Sequence, residues 1–181
     1  MKPLAAFAAS GTFTVRWRRA AAAGALALAA GLLGACASDP GRIAPGTPRA
    51  EAQQALGQPT ARYPLPGGGE RWQYSYQPNG QRVVNVDLDA AGRVARRYEA
   101  LTEANLARIA ADQWTRDDVL REFGRPARVQ GVHNFRGEIW VWRYADGPTW
   151  RLLFIDIDPQ GTVRGWSAGD EPLPDADFDT R

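Results

Sequence analysis

The residues whose types and spacing come nearest to a chemical site are two acidic turns. Asp87-Leu88-Asp89-Ala90-Ala91-Gly92 and Asp156-Ile157-Asp158-Pro159-Gln160-Gly161 each set alternate carboxylates ahead of a glycine. A calcium loop opens this way, but it needs an oxygen-bearing side chain at its fifth position and a closing glutamate at its twelfth. Ala91 offers no oxygen at the fifth position and Gln160 only an amide, and the twelfth positions are Tyr98 and Ser167. Both stretches therefore read as turns with Asp first and Gly fourth. His133, the only histidine, lies in a Gly131–Gly137 stretch that reads as a loop. It has no second histidine with which to build a zinc site or a triad. Gly67-Gly68-Gly69 lacks the Lys-Ser/Thr of a phosphate loop. The expectation is no catalytic residue, no metal and no cofactor, hence no enzyme. A hydrolase whose carboxylates are indistinguishable from turn residues stays open as a rival.

One thiol remains. Arg16, Arg18 and Arg19 precede an apolar run from Ala20 to Ala35, the layout of a secretory signal. The run is short of the ~20 residues a spanning helix needs, although a single membrane anchor helix is the alternative. Leu33-Gly34-Ala35-Cys36 closes it with the only cysteine of the chain. This ending resembles the lipobox of bacterial lipoproteins. The resemblance implies removal of residues 1–35 as a signal peptide, diacylation of the Cys36 thiol and acylation of the new amine. Each buried methylene contributes ~0.8 kcal/mol, so several chains anchor firmly where one does not. Ala37 in place of Asp after the cysteine implies export to the outer membrane, with the protein facing the periplasm. Residues 36–42 form the lipidated cysteine and its tether, which spans about 20 Å at ~3.3–3.6 Å per residue.

The leader also explains the charge. The whole chain is formally +2, but without Lys2, Arg16, Arg18 and Arg19 it holds 18 basic and 20 acidic residues, a net −2. Its apparent basicity therefore says nothing for a nucleic-acid partner. With Cys36 acylated no disulfide forms within the chain, and packing alone holds the core.

The remaining sequence reads twice. Gly57-Gln58-Pro59 recurs as Gly124-Arg125-Pro126, and Trp72, Tyr74 and Tyr76 as Trp140, Trp142 and Tyr144. Val86-Asp87-Leu88-Asp89 with Gly92 and Val94 recurs as Ile155-Asp156-Ile157-Asp158 with Gly161 and Val163. Two copies are too few for a solenoid, so a pseudo-symmetric domain or two small lobes is expected. In the first unit (residues 43–100) Thr47 caps a helix with Pro48 at its first position, running to about Leu56. In the second (101–166) Thr115 caps and Asp118 completes a capping box, with the helix ending near Phe123. Gly57 and Gly124 are expected as left-handed stops, and a short helix is expected over Thr102–Ile109. Alternation then predicts three strands per unit. The fold class is α+β, two tandem repeats, each one or two helices packed on a three-stranded antiparallel sheet. Residues 167–181 are acidic, hold two prolines, and are expected to be a disordered tail.

These blocks resemble the SmpA/OmlA, or BamE-like, family of outer-membrane lipoproteins. Leu101-Thr102-Glu103-Ala104-Asn105-Leu106-Ala107-Arg108-Ile109 is similar to its entry helix, and Arg42-Ile43 through Gly46 to Leu56-Gly57-Gln58-Pro59 to its next block. The Trp-x-Tyr strand and the Asp-x-x-Gly-x-Val turn also match. The usual Gly-Met-Thr is Gly46-Thr47-Pro48 in one unit and Gln113-Trp114-Thr115 in the other. The resemblance implies a non-enzymatic binding or scaffold module in outer-membrane protein assembly or envelope integrity. Its implied partners are β-barrel assembly machine subunits and phosphatidylglycerol. The tandem arrangement is also similar to β-lactamase inhibitor proteins, which implies the alternative of a periplasmic enzyme-inhibitor-like binding protein.

The units differ in one strand. In the second, Leu153, Ile155 and Ile157 take the core face, and Trp150, Leu152 and Phe154 lie opposite, with Val141 nearby. A strand apolar on both faces must be covered on both. The cover is either the rest of this chain, including the Thr102–Ile109 helix, or a partner. Trp150, Leu152 and Phe154 are the candidate partner-binding residues.

Overall fold

A computed structural model describes residues 39–133 and 135–172. The leader, the lipidation of Cys36 and the tail from residue 173 lie outside the described residues. Among those described, the first repeat is one α-helix and the second two, each followed by four strands. The first has α1 (Arg49–Leu56), β1 (Ala61–Pro64), β2 (Glu70–Ser75), β3 (Val83–Leu88) and β4 (Val94–Glu99). The second has α2 (Glu103–Leu106), α3 (Arg116–Phe123), β5 (Arg128–Val132), β6 (Phe135–Asp146), β7 (Thr149–Ile157) and β8 (Val163–Asp170). The strands form two separate antiparallel sheets in sequential order, β1 to β4 and β5 to β8.

The expected three-stranded sheets are thus corrected to four. The additional strands, β1 and β5, pair with β2 and β6 at the sheet edges. Ala-Arg-Tyr-Pro and Arg-Val-Gln-Gly-Val lack the apolar alternation that marks a half-buried strand, because an edge strand buries little. The Gly131–Gly137 loop is likewise a hairpin, with Gly131 in β5, Gly137 in β6 and His133 at the turn. A Cβ at Gly137 would collide with the Ile157 carbonyl and the Phe135 ring. The Thr102–Ile109 helix is only one α-turn. Beyond it Arg108 and Ile109 donate to residues three back, Asn105 and Leu106, at 3.1 and 3.0 Å, a tightened winding. At the other end, residues 167–170 are strand rather than disordered tail. Ser167 to Asp170 pair with Phe154 to Arg151.

The duplication is visible in individual bonds. The first N–H of each main helix donates to a turn glycine, Arg49 to Gly92 at 2.8 Å and Arg116 to Gly161 at 2.7 Å. The Trp72 indole donates to Glu70 at 2.7 Å while Arg49 pairs with the same carboxylate at 2.6 Å. Trp140, Glu138 and Arg116 repeat this at 2.9 and 3.1 Å. Both helices stop at glycines with φ of 73° and ψ of −159° (Gly57) or −166° (Gly124). The positive φ is as expected, but the extended ψ is a region essentially reserved for glycine. It sends the chain straight from helix towards strand. The helix starts differ. Thr115 and Asp118 form the capping box. In α1 the cap position is Pro48, and the Thr47 hydroxyl donates instead to the Ala44 carbonyl at 2.7 Å.

Each helix packs on one face of its own sheet. Ala52 and Leu56 of α1 meet Trp72, Tyr74, Val84, Val86, Leu88 and Val94. Val119 and Phe123 of α3, with Leu106 of α2, meet Trp140, Trp142, Tyr144, Leu153, Ile155 and Ile157. This second core also takes in Val83 and Ala100 from the first repeat, with Leu101 at the start of the second. Burial of each such side chain contributes about 1.5–3 kcal/mol.

The other face of the first sheet closes on α3. The last carbonyls of a helix have no partner within it. Here Asn85 donates to the Glu122 carbonyl at 2.8 Å and Arg71 to the Arg121 carbonyl at 3.2 Å. The Gln73 amide lies 3.4 Å from the carbonyls of Leu120, Arg121 and Glu122. Among the described residues the layers therefore run α1, first sheet, α3, second sheet, and neither hydrophobic core takes in the outer face of the second sheet.

Candidate functional site: the outer face of the second sheet

Strand alternation sets this face. In β7 the positions opposite the core are Trp150, Leu152, Phe154 and Asp156. Their partners in β6 are Ala145, Arg143, Val141 and Ile139. On the other side, Leu152, Phe154 and Asp156 sit beside Gly169, Ser167 and Gly165 of β8. The three candidates read from sequence therefore share one face, but in different degrees. Trp150 is 49% exposed, Phe154 is half-buried, and Leu152 is buried. Val141 is also buried, yet among the described residues neither core includes Val141, Leu152 or Phe154. The short helix α2 does not cover them, because its Leu106 lies in the core on the opposite side, beside Tyr144 and Trp166.

Three charged residues of this region, besides Arg128 beside Val141 in β5, escape a reading built on apolar alternation. Arg143 is the first. Gln77, from the loop after β2, clamps its backbone, accepting from Arg143 N–H at 3.2 Å and donating to its carbonyl at 2.6 Å. The guanidinium of Arg143 donates to the second, Glu171, at 2.6 Å and lies 5.9 Å from the centre of the Trp150 ring. A cation over an indole contributes about 0.5–1 kcal/mol at exposed sites and holds the ring's orientation.

Asp156 is the third, and the duplication gives it meaning. Its counterpart Asp87 stands between Arg71 and Arg96 on the flanking strands. Asp87 accepts from Arg71 at 2.7 and 3.0 Å and from Arg96 at 2.8 Å. Asp156 stands in the same register between Ile139 and Gly165. Among the described residues its carboxylate makes no hydrogen bond or ion pair, and burial pushes it above the usual carboxylate range. The neighbouring Arg71 also reaches Glu122 of α3 at 2.8 Å, and Tyr98 donates to the same carboxylate at 3.0 Å. Burial opposes the charge of Arg71, but Asp87, Tyr98 and Glu122 hold its pKa above the ordinary value. The same sheet position is thus a saturated ionic knot in one repeat and a single carboxylate among apolar groups in the other.

Elsewhere the chemistry is sparse. Among the described residues no three His, Cys, Asp or Glu side chains gather to hold a metal ion. The acidic turns bind their own backbone, Asp89 accepting from Arg93 N–H at 2.9 Å and Asp158 from Thr162 N–H at 2.8 Å. A cleft of about 450 Å³ lies between the repeats, lined by Tyr63, Gln73, Ser75, Leu120, Arg125 and Pro126 among others. No helix among the described residues is long and apolar enough to cross a membrane.

No family model and no curated protein matches this chain. A solved structure, the DUF4309 family protein YjgB from Bacillus subtilis, aligns over 68% of this chain and 78% of its own at 15% identity, with a TM-score of 0.29. A likeness that slight carries no argument about fold or function.

Proposed function

We propose that this chain is a non-enzymatic outer-membrane lipoprotein, lipid-anchored through Cys36 and facing the periplasm. It acts as a binding or scaffold module in outer-membrane protein assembly or envelope integrity, built as a tandem of BamE-like repeats. The observation that carries the binding role is the outer face of the second sheet. It is apolar where the equivalent positions of the first sheet are polar, and it presents Trp150 and Phe154 beside the anchored Arg143. An exposed tryptophan beside a fixed arginine supplies two of the residue types in which binding hot spots are enriched. The lipobox and the short tether support a membrane-proximal partner, such as a barrel-assembly subunit, with phosphatidylglycerol headgroups within reach.

Anchoring is tested by palmitate labelling of the wild type and of Cys36→Ala, followed by membrane fractionation. Label and outer-membrane location in the wild type, with both lost in the variant, support the proposal. An unlabelled wild type that stays in the soluble fraction ends it.

A further inference from the structure

We propose that the partner docking on the outer face of the second sheet brings a cationic side chain, an arginine or lysine set among apolar residues, to Asp156. The inference rests on the reading of this face as a docking surface and adds the chemistry of what docks there. The first repeat is its template. There the carboxylate at this register position is met by two guanidiniums of its own sheet, from Arg71 and Arg96. In the second repeat the carboxylate is kept, while Ile139 and Gly165 replace both arginines.

Those replacements do more than remove charge. Gly165 leaves the flank of Asp156 open, since a Cβ there would come no closer than 3.6 Å to the Asp156 carboxylate and would meet nothing else within 4 Å. Ile139 and Phe154 bound it with hydrocarbon. The nearest cation of the face in β6, Arg143, is committed to Glu171 and to the Pro78 and Asn79 carbonyls. A half-buried carboxylate without a partner costs solvation, and a cation arriving from outside restores it. An anionic partner would be repelled here, and a wholly apolar one would strand the charge. The site therefore selects for an apolar segment bearing one positive charge, the positive-on-negative matching that sets specificity at interfaces.

The test uses the full-length chain in its native envelope, with Ser167, exposed beside Phe154 on this face, replaced by the photoreactive residue benzoylphenylalanine. After irradiation the cross-linked segment is mapped by mass spectrometry, in otherwise wild-type, Asp156→Asn and Asp156→Arg backgrounds. Thermal melts confirm that each variant folds, and Asp156→Asn carries the test should the reversal fail to fold. The expected segment belongs to another protein and holds an arginine or lysine flanked by apolar residues. Yield should fall several-fold with Asp156→Asn and at least tenfold with Asp156→Arg. Reversing the mapped cation to glutamate in the partner should restore capture by Asp156→Arg. A yield indifferent to both Asp156 variants, or a segment without a cation, overturns the inference while leaving the docking face intact. So does a cross-link into residues 173–181 of the same chain or into a second copy. The absence of any wild-type cross-link overturns the docking reading beneath it.

Discussion

The two sheets share helix placement, strand order and the Arg–Glu–Trp lock, yet their second faces have diverged. On the first sheet Arg71, Gln73, Asn85 and Asp87 are all buried and all polar, because the face must receive the carboxyl end of a helix. On the second the matching positions are Ile139, Val141, Phe154 and Asp156. A helix terminus needs donors, so the second face, with hydrocarbon at the positions matching Arg71, Gln73 and Asn85, is not built to take one in the same way. Divergence confined to one face of a duplicated sheet separates two demands. Residues shared between repeats build the unit, and residues that differ meet whatever lies above it.

The largest expected effect breaks the first face. Arg71→Ala leaves buried Asp87 with Arg96 alone and Glu122 with Tyr98 and Arg108, and should cost about 3 kcal/mol in urea unfolding, the low end of the usual range for removing one member of a buried pair. Ile139→Ala, at the matching position, is only half-buried and should fall below the about 2–5 kcal/mol of a full core truncation. Equal costs would mean the two faces are energetically alike.

The helix stops come next. Gly57→Ala and Gly124→Ala both force an L-residue into a glycine conformation, worth about 1–3 kcal/mol. At Gly57 the space is open, whereas a Cβ at Gly124 would lie 2.7 Å from the Gln73 amide oxygen. Gly124→Ala should therefore destabilise more, measured by the same unfolding midpoint, because it also dislodges the side chain that meets the end of α3.

At the helix starts, Thr115→Ala removes a cap and should cost about 1 kcal/mol, while Thr47→Ala should cost less because Thr47 does not cap α1. Burial opposes the Asp118 charge, but Thr115 and Arg121 hold its carboxyl below the usual range. A depressed folded pKa stabilises at pH values above the unfolded carboxylate range, and that contribution is lost as pH falls through the folded value. The Thr115→Ala penalty should shrink accordingly in acid.

The smallest effect has the opposite sign. Burial raises the Asp156 pKa in the folded state, so its charge disfavours folding at neutral pH and the disadvantage fades as pH falls. Asp156→Asn should modestly raise the melting temperature at pH 7 and leave it unchanged near pH 3. A loss at pH 7 would show that the carboxylate has a partner after all.

Much of this layout was legible in the chain. The duplication, the Thr115–Asp118 box, the glycine stops and the outward set of Trp150, Leu152 and Phe154 all follow from local chemistry. The edge strands β1 and β5 were not, because an edge strand that buries little leaves no periodic trace. Tyr76 misleads for a related reason. It repeats as Tyr144, but β2 ends at Ser75 and leaves Tyr76 43% exposed, whereas the longer β6 carries Tyr144 into the core. The roles of Arg71 and Asp156 stayed hidden because each depends on which residues lie across the strand, a property of register rather than of spacing along the chain.

We propose that the outer face of the second sheet docks a partner through Trp150 and Phe154, which stand beside the buried Val141 and Leu152. This docking is tested most directly by Trp150→Ser, with a thermal melt and affinity capture from detergent-solubilised envelope run on the same preparation. The melting temperature is expected to stay close to wild type while the barrel-assembly subunits are lost from the captured set. A variant that unfolds, or one that folds and still captures the same proteins as the wild type, would contradict it.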